Sequence, residues 1–432
     1  MHSIYIGTAK VSNTNVELMI SDCRRLVENR GLHSGDILIC KSDTQYGTWI
    51  QWNLCQRIGA IPFFAAPDFP VEKSDFMKYT DVKHCLEIRN NEELKCYKYE
   101  NDSKKYNEKY KEIEAGSVIH MTSATTGNPK FILRTKSNLD LEMERYINRT
   151  QITAGDIMMS IAPYYHAYAF LGPLLACEKT GATLVFPDII MPRNIIQLCN
   201  NMKVNCLHGI PYFFDKMVEV DSRYQLYDNM KMIVSSGEKL SADSKKNFEQ
   251  RFGYEPLQQY GSTETGTITI CDGNDPEECQ GRPLDGVEFK VIQENEKNLI
   301  AVNTNGTMGY YIKENIEPIA KEFYETSDVG YFDAEGRLFI EGRCDDIIIR
   351  AGEKINLKWI EKTIKKYPGI EAVKVEVEPG ELKELACYYS SSIGINEKGL
   401  KLYCQKHLSR YQTPRSFTKK VWAQNKSWKN QG

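Results

Sequence analysis

The sequence predicts an α/β protein whose C-terminal part is β-rich and then α+β. Three observations lead to this prediction. Between residues 15 and 70, and again between residues 137 and 235, segments with helical apolar spacing alternate with short apolar runs typical of buried strands. From about residue 283 the apolar runs are short and separated by turns, and beyond residue 343 helix-like and strand-like segments mix. Strands separated by helices favour a parallel sheet with helices on its faces.

The first α/β stretch contains two predicted helices and two predicted strands. They are a helix over 16–27, a strand over 36–40, a helix over 46–58 and a strand beginning at 59–64. The polar, charged segment 88–115 follows, and we predict a solvated connector there that has room for one exposed strand. The second stretch predicts helices over 137–146, 170–177 and 195–202, and strands over 156–161, 181–187, 204–210 and 232–234.

The C-terminal third has a different pattern of apolar residues. Its β-like runs are 286–292, 306–311 and 336–340. Beyond them, the pattern predicts a helix over 359–367, strands over 372–377 and 385–389, and a helix over 397–408. We find no internal repeat and no low-complexity segment.

Composition excludes several classes of protein. The 432 residues are 41% hydrophobic and 26% charged, with a net charge of -3, so no overall basic field points to nucleic acid or an anionic membrane. We find no apolar run of about 18 residues and no basic-then-apolar N-terminal leader, so we expect a cytoplasmic protein. The 13 cysteines are scattered without a C-x-x-C pair, which favours free thiols over disulfides or zinc.

A loop rich in hydroxyl residues follows the apolar run that ends near residue 121. Small residues in this loop let hydroxyls, backbone N–H groups and one ammonium approach a single anion. The residues that could make these contacts are Thr122, Ser123, Thr125, Thr126, Gly127 and Lys130. The segment does not match the P-loop motif, because Pro129 precedes the lysine and Phe131 follows it. A Ser/Thr-rich surface turn is the alternative interpretation.

Three other segments carry residues suited to binding a nucleotide. In 258–266, Tyr260 could stack on a flat ring while the carboxylate of Glu264 could hold Mg²⁺. In 326–332, Asp328 is predicted to lie in a turn, where it could accept two vicinal hydroxyls. The third segment, 342–355, brackets one apolar strand with charges and glycines. Each segment taken singly could also be an ordinary turn or a surface ion pair.

The joint order of these motifs resembles the adenylate-forming superfamily, which includes acyl- and aryl-CoA synthetases, carrier-loading adenylation enzymes and luciferases. Segment 122–130 resembles the family loop T-S-G-T-T-G-x-P-K, with Ala124 in place of the first glycine. Segment 260–264 matches Y-G-x-T-E, and 327–346 follows G-D…G-x-L…G-R-x-D-D. The resemblance extends from about residue 30 to the C-terminus.

The resemblance implies a domain organisation. A large N-terminal domain of stacked mixed and parallel sheets with helices is expected over 1–343, including a β-rich subdomain at about 283–343. A small, mobile α+β lid domain is expected over 344–432, with the hinge near Asp345.

The resemblance also implies roles for individual residues. The hydroxyl-rich loop described above would hold the β- and γ-phosphates of ATP. The residues implied around adenine and the adenosine moiety are Gly237, Glu238, Gln258, Tyr260 and Gly261. Thr263 would contact the α-phosphate, and Glu264 would hold Mg²⁺. Asp328 and Arg343 would hold the ribose.

The family has a lysine near the C-terminus that bridges the substrate carboxylate and the α-phosphate. Lys429 aligns best with it, although Trp428 stands where relatives carry glycine. Lys426 is the alternative, and a solvated tail is the other interpretation. His166 is a candidate gate or carboxylate neighbour, and a packed core histidine is the alternative for that residue.

The acid is predicted from the segment after strand 156–161. Amino-acid-activating relatives place an aspartate there, whereas this chain reads P-Y-Y-H-A-Y over 163–168. An α-ammonium would then be buried unpaired, so we expect an aryl or small acyl acid. The residues expected to line the pocket are Tyr165, Tyr168, His208, Ile210, Pro211 and Ser236.

The resemblance implies an acceptor thiol, which would belong to coenzyme A or to the phosphopantetheine arm of an acyl carrier protein. The absence of a fused carrier domain fits both, and we find no basic cluster that marks a coenzyme A phosphate site. The sequence slightly favours an enzyme that loads a separate carrier protein in secondary-metabolite or siderophore assembly. An acyl- or aryl-CoA ligase is the alternative, and a catalytically weak nucleotide-binding relative is the alternative from another class.

Overall fold

The computed structural model describes residues 3–100, 113–122, 129–294, 296–350, 353–378, 384–410 and 412–420. The chain forms two compact units. Unit 1 comprises Met1–Glu288, Asn303–Tyr324 and Ala334–Leu338, and unit 2 comprises Phe289–Val302, Glu325–Asp333 and Phe339–Gly432. Helices and strands alternate through unit 1, so the predicted α/β class is confirmed. The boundary at 343/344 and the hinge at Asp345 stay predictions.

Most of the predicted helices and strands are present, with bounds a few residues from the predicted ones, and the structure adds elements that the sequence pattern did not predict. The helices are α1 (Asn13–Glu28), α2 (Gln45–Ile58), α3 (Phe76–Tyr79), α4 (Lys136–Thr150), α5 (Ala167–Ala169), α6 (Leu175–Thr180), α7 (Pro192–Met202), α8 (Pro211–Val218), α9 (Ala242–Phe252), α10 (Leu357–Lys365) and α11 (Glu397–His407). The strands up to the middle of the chain are β1 (Ile4–Ile6), β2 (Ala9–Lys10), β3 (Ile37–Ser42), β4 (Ile61–Ala65), β5 (His84–Arg89), β6 (Glu93–Lys98), β7 (Val118–Met121), β8 (Phe131–Arg134), β9 (Ile157–Ser160), β10 (Thr183–Phe186), β11 (Cys206–Gly209), β12 (Met232–Ser235), β13 (Leu257–Ser262), β14 (Gly266–Ile270) and β15 (Arg282–Pro283). The remaining strands are β16 (Glu288–Glu294), β17 (Lys297–Asn303), β18 (Tyr310–Ile312), β19 (Ile316–Pro318), β20 (Tyr324–Phe332), β21 (Leu338–Arg343), β22 (Ile347–Arg350), β23 (Glu353–Asn356), β24 (Ala372–Val377), β25 (Leu385–Ser390) and β26 (Ser416–Lys419).

Unit 1 is built on two mixed sheets. In the described chain, a nine-stranded sheet has the order β15-β14-β13-β12-β11-β9-β10-β1-β2, and an eight-stranded sheet has the order β19-β18-β8-β7-β4-β3-β5-β6. The strands from β1 through β10, β9, β11 and β12 to β13 pair in parallel, and β13, β14 and β15 pair antiparallel. Helices α7, α8 and α9 pack on the first sheet around a buried cluster that includes Leu207, Phe214 and Phe248.

The ends of several helices follow from their capping residues. Thr44 caps the start of α2 by accepting the Gly47 N–H, and Gly59 ends the helix in the left-handed region at φ 71°. Thr135 and Asn138 form a reciprocal capping box at the start of α4. Such short-range signals explain why sequence pattern locates these helices well.

The segment predicted as a single helix over 170–177 is longer and irregular. Helix α5 begins at Ala167, a π-helical turn covers Phe170–Leu174, and α6 continues to Thr180. Pro173 lies inside the π-helical turn. A proline has no N–H to donate within a helix, so the wider turn accommodates it without ending the helix.

The prediction that Asp328 lies in a turn is wrong. Asp328 is in the middle of β20, which spans Tyr324–Phe332. The preceding Ser327 has φ 61°, and the Asp328 N–H donates to the Thr326 hydroxyl at 3.1 Å. A residue with positive φ produces a local kink in a strand. The polar residues around Ser327 therefore resemble a turn in the sequence, although the strand continues through them.

Unit 2 contains three small sheets in its described part. Strands β16, β17, β20 and β21 form a four-stranded sheet, β22 pairs with β23, and β24, β25 and β26 form the third sheet. Helices α10 and α11 cover the third sheet around a cluster that includes Ile360, Val375 and Leu400. The sequence pattern did not predict β17, which belongs to the four-stranded sheet. Strands β18 and β19, although they lie between β17 and β20 in the chain, belong to the eight-stranded sheet of unit 1.

Two further observations bear on the predictions from composition. All 13 cysteines are free thiols, and Cys344 is the one that is partly exposed. Among the described residues, every helix is too short or too polar to cross a bilayer.

Candidate active site

The hydroxyl-rich loop is closed at its base by two hydrogen bonds. Strand β7 leads into Thr122, and Lys130 precedes β8. The Lys130 N–H donates to the Thr122 hydroxyl at 3.1 Å, and the Thr122 N–H donates to the Lys130 carbonyl at 2.9 Å. The other predicted phosphate contacts lie outside the described residues: Ser123, Thr125, Thr126 and Gly127. The two described ends thus meet at the carboxyl end of β7.

The predicted metal-binding segment is the turn of a β-hairpin. Tyr260 and Gly261 are on β13, and β14 begins at Gly266. A Cβ on Gly261 would lie 2.2 Å from the Gly266 carbonyl oxygen, so only glycine lets the two strands approach this closely. The hairpin places Thr263 and Glu264 together in its turn, and Glu264 is 8% exposed.

Two tyrosines connect Glu264 to the base of the hydroxyl-rich loop. The Lys130 ammonium lies 5.4 Å from the centroid of the Tyr311 ring. Tyr311 shares a hydrogen bond with Tyr324, which in turn bonds to Glu264. Burial, and then the nearby Glu264 charge, raises the pKa of both phenols, so Tyr324 remains a donor to the carboxylate. We call Lys130, Tyr311, Tyr324 and Glu264 the lysine–glutamate relay.

The sequence analysis missed both tyrosines of this relay. Tyr311 lies on β18, within a run that sequence pattern identified only as β-like, and Tyr324 begins β20. A tyrosine in a strand is too common to indicate a site. The tertiary structure brings them together because β18 pairs with β8, the strand that follows Lys130.

A buried ion pair also connects the hydroxyl-rich loop with the hairpin of Glu264, through the strands that follow each of them. Arg134 on β8 donates to Glu142 on α4, and both side chains are at most 1% exposed. The other Glu142 oxygen accepts the Thr267 N–H on β14 at 2.7 Å. A Cβ on Gly266, whose φ is 74°, would lie 2.3 Å from the Glu142 carboxylate. Glu142 therefore ties the strand after the loop to the strand after Glu264.

Gln258 supports the turn that contains two predicted adenine contacts. Its side-chain oxygen accepts the Leu240 N–H at 2.7 Å, and its amide nitrogen donates to the Glu238 carbonyl at 3.3 Å. Gly237 directly precedes Glu238 and has φ 87°, a conformation that favours glycine. The structure thus brings Gly237, Glu238 and Gln258 together. The contact of Gln258 with the amino edge of adenine stays a prediction.

Most predicted pocket residues gather at the carboxyl ends of β11 and β12. The rings of Tyr168 and His208 are 6.5 Å apart, and the Tyr168 hydroxyl donates to the Val234 carbonyl at 3.1 Å. The Ser236 N–H donates to the Gly209 carbonyl at 3.2 Å. Ligands of open α/β sheets bind at this edge.

The other pocket residues lie beside these. Ile210 is 3.9 Å from the position of a Cβ on Gly237, and Pro211 begins α8. His166 directly precedes α5, and its ring lies 4.5 Å from the ring of Tyr165. The segment predicted to recognise the acid therefore adjoins the turn predicted to bind adenine.

Two fully buried histidines flank this region. The His208 Nε2 is 3.0 Å from the Tyr146 hydroxyl, and burial lowers the pKa of His208 to about 3. His120, on β7 just before the hydroxyl-rich loop, packs against Phe170 with ring centroids 5.1 Å apart. Burial, and then the charges of Arg134 and His166, lowers the pKa of His120 to about 3 as well. Both rings are neutral near pH 7, and the sequence analysis missed His120.

We expect these histidines to make the protein less stable in mild acid. A folded-state pKa below the unfolded value of about 6.5 means that the unfolded chain binds the proton first. Stability is therefore fully present above pH 6.5 and is lost as the pH falls towards 3. Each histidine should remove about 2 kcal/mol from the free energy of unfolding between pH 7 and pH 5.

Urea unfolding at the two pH values measures this loss. His208→Gln should reduce the pH-dependent loss by the share of one histidine, whatever its effect at pH 7. His33→Gln is the matched control, because His33 is exposed and should leave the loss unchanged. An unaltered pH dependence in His208→Gln would contradict the assignment of a depressed pKa to this ring.

The predicted ribose contacts lie next to each other in unit 2. Arg343 donates to the Asp328 carboxylate at 3.1 Å and to the Thr326 carbonyl at 2.9 Å. Asp345 lies in a 3₁₀ turn directly after β21. Lys429 and its alternative Lys426 lie outside the described residues. The roles of these five residues stay predictions.

The chain is similar to known enzymes and structures. It is 26% identical to the medium-chain fatty-acid–CoA ligase of Escherichia coli (strain K12) over 321 residues, which cover 69% of this chain and 56% of the ligase. It is 25% identical to the 2-succinylbenzoate–CoA ligase of Listeria monocytogenes serotype 4b (strain F2365) over 312 residues, which cover 70% of this chain and 66% of the ligase. The chain thus covers less than two thirds of the length of either relative.

The fold is also that of a solved enzyme. The crystal structure of ATP-bound MatB from Rhodopseudomonas palustris superposes with a TM-score of 0.79 at 17% identity, covering 98% of this chain and 93% of that chain. This likeness confirms the fold that the motif resemblance implied. A family model described as AMP-binding enzyme matches residues 63–310, which is more than half of the 432 residues. The chain therefore belongs to the AMP-binding enzyme family.

Proposed function

We propose that the protein is an AMP-forming acid–thiol ligase. A substrate carboxylate attacks the α-phosphorus of ATP, the bond to the β-phosphate oxygen breaks, and an acyl-adenylate and pyrophosphate are formed. A thiol then attacks the acyl carbon and displaces AMP, so that a thioester is the product. The observation that carries this proposal is the lysine–glutamate relay, which joins the predicted phosphate loop to the predicted Mg²⁺ ligand within unit 1.

The relay residues suit the charges of the first step. A buried carboxylate oxygen with a hydroxyl-bearing neighbour, Thr263, is the kind of donor that Mg²⁺ prefers. Mg²⁺ bound there would neutralise charge on the phosphates. The Lys130 ammonium, held beside Tyr311, would stabilise the leaving pyrophosphate. A hydrogen bond donated by Tyr324 would orient Glu264 towards the ion.

The pocket favours an acid without a second charge. The residues predicted to line it are aromatic, apolar or neutral, and His208 is uncharged at neutral pH because of its depressed pKa. An α-ammonium buried there would have no carboxylate partner among the pocket residues named above, and burying an unpaired charge is costly. This supports an aryl or small acyl acid, as the sequence predicted.

For the thiol acceptor we propose free coenzyme A. The sequence slightly favoured a carrier protein, but both curated relatives are named as CoA ligases. Loading of a separate carrier protein is the competing acceptor. The two acceptors present the same phosphopantetheine thiol, so the first half-reaction is common to both.

Acid-dependent exchange of pyrophosphate into ATP tests the first half-reaction. We expect Mg²⁺-dependent exchange with at least one member of a panel of aryl, short acyl and amino acids. Failure with every acid would contradict the proposal and favour a nucleotide-binding relative. With the active acid, thioester formation on coenzyme A, compared with that on a phosphopantetheinylated carrier, identifies the acceptor.

We expect Lys429→Ala to abolish adenylation, because the resemblance places this ammonium between the substrate carboxylate and the α-phosphate. Thioester formation from preformed acyl-adenylate should be largely retained. Pyrophosphate exchange and single-turnover thioester formation measure the two steps separately. Lys426→Ala tests the alternative lysine, three positions earlier, and should exchange normally if Lys429 has this role; loss of exchange in Lys426→Ala alone would assign the role to Lys426. Equal loss of both steps in Lys429→Ala would contradict this assignment.

A further inference from the structure

The loop between β14 and β15 carries a cluster of metal-ligating side chains. Its sequence over 271–279 has the spacing C-x₃-D-x₃-C. The Sγ atoms of Cys271 and Cys279 and a carboxylate oxygen of Asp275 all lie within 4.8 Å of one another. Cys271 is 2% exposed, Asp275 8% and Cys279 1%. Among the described residues, these three side chains form the one group of at least three His, Cys, Asp or Glu residues whose ligand atoms are close enough to share a metal ion.

The loop holds the three side chains in place through its own backbone. The Gly281 N–H donates to the Cys279 sulfur at 3.0 Å, and the Cys271 thiol donates to the Cys279 carbonyl at 3.4 Å. The Asp272 N–H donates to one Asp275 oxygen at 3.1 Å. Gly281 has φ 89°, and a Cβ there would lie 2.5 Å from the Cys271 nitrogen, so the two ends of the loop are in close contact.

We propose that Cys271, Asp275 and Cys279 bind one Zn²⁺ ion. Thiolate and carboxylate groups are zinc ligands, and soft thiolates disfavour Mg²⁺ and Ca²⁺. A tetrahedral ion with Zn–S bonds of about 2.3 Å separates two sulfurs by about 3.8 Å, which the observed spacing accommodates with little movement. A water molecule is the expected fourth ligand. The N–H donated to the Cys279 sulfur is the kind of contact that supports a metal-bound thiolate.

The sequence alone argued against zinc because it contains no C-x-x-C pair. The ligands here are each separated by three residues, and the loop has to fold before the two sulfurs meet. The position of the site indicates a structural role. Cys271 directly follows β14, and its N–H donates to the Gln258 carbonyl on β13 at 2.9 Å. A bound ion would therefore brace the hairpin that carries Tyr260 and Glu264, from the side opposite its turn.

Metal analysis of the full chain tests this site. The protein is purified with reductant, freed of its affinity tag, incubated with zinc chloride and exchanged into chelator-free buffer. Elemental analysis should give about one zinc per chain. Replacement by Co²⁺ should produce the near-ultraviolet absorption of a thiolate-bound cobalt ion. Cys271→Ser and Cys279→Ser should lose the zinc and this absorption, and Asp275→Asn should weaken zinc binding more than about tenfold in a chelator competition.

Cys199→Ser is the matched control, because Cys199 is equally buried but lies on α7 outside the cluster. It should retain zinc. A wild-type chain that binds neither zinc nor cobalt would overturn the proposal, as would a disulfide between Cys271 and Cys279 in the reduced, zinc-treated protein, or equal zinc loss in the control. If a cysteine variant fails to fold, the cobalt spectrum of the wild-type chain and the chelator competition of Asp275→Asn still test whether the cluster binds zinc. None of these measurements depends on ligase activity.

Discussion

Glu264→Gln is expected to lower acid-dependent ATP–pyrophosphate exchange by about 10²–10³-fold, the loss typical of removing one group that stabilises transition-state charge. The substitution keeps the shape of the side chain and removes its charge. It therefore weakens the proposed hold on Mg²⁺ and gives Tyr324 a neutral amide oxygen in place of the charged carboxylate as its acceptor. The folded structure should survive, because an amide oxygen can still accept the tyrosine hydroxyl.

The measurement is the exchange rate as a function of Mg²⁺ concentration with the best acid. In Glu264→Gln the Mg²⁺ concentration for half-maximal rate should rise, and the maximal rate should fall. Glu317→Gln serves as the control, since Glu317 is exposed on β19 and forms a surface ion pair with Lys313. Exchange within a few-fold of wild type in Glu264→Gln would contradict the assignment of the metal ligand.

Glu142→Ala is expected to lower the free energy of unfolding by about 3–5 kcal/mol, the cost of leaving one member of a buried ion pair uncompensated. Arg134 is fully buried, and its Nε and Nη1 atoms have no hydrogen-bond partner among the described residues. Without Glu142, the guanidinium charge would be left unpaired in the core. The Thr267 N–H would lose its acceptor as well.

Chemical denaturation followed by near-ultraviolet circular dichroism measures this cost. Glu28→Ala is the control, since Glu28 forms an exposed pair with Arg24 that should contribute at most about 1 kcal/mol. The double variant Arg134→Met/Glu142→Leu should recover much of the lost stability, because both charges are then replaced by apolar side chains. If Glu142→Ala costs no more than Glu28→Ala, the pair does not hold these strands together.

Short-range patterns predicted much of the fold. The C-terminal elements α10, β24, β25 and α11 lie within about two residues of their predicted bounds, because each shows a clear apolar periodicity. The errors occurred where local sequence and tertiary pairing disagree. Asp328 reads as a turn because a positive-φ serine precedes it, yet the strand continues through the kink.

The sequence by itself identified the family and predicted chemical roles for its motifs, since the order of several motifs carries that information before any tertiary structure is known. It predicted the phosphate loop, the Tyr260–Glu264 segment and the acid-binding segment, and it placed the first and the last of these after strands. Only the tertiary structure decided what supports them. The lysine–glutamate relay, the Arg134–Glu142 pair and the Cys271–Asp275–Cys279 cluster join residues whose individual signals are weak. The physical reason is that burial and strand pairing, which give these polar groups their partners, arise only when distant segments pack together.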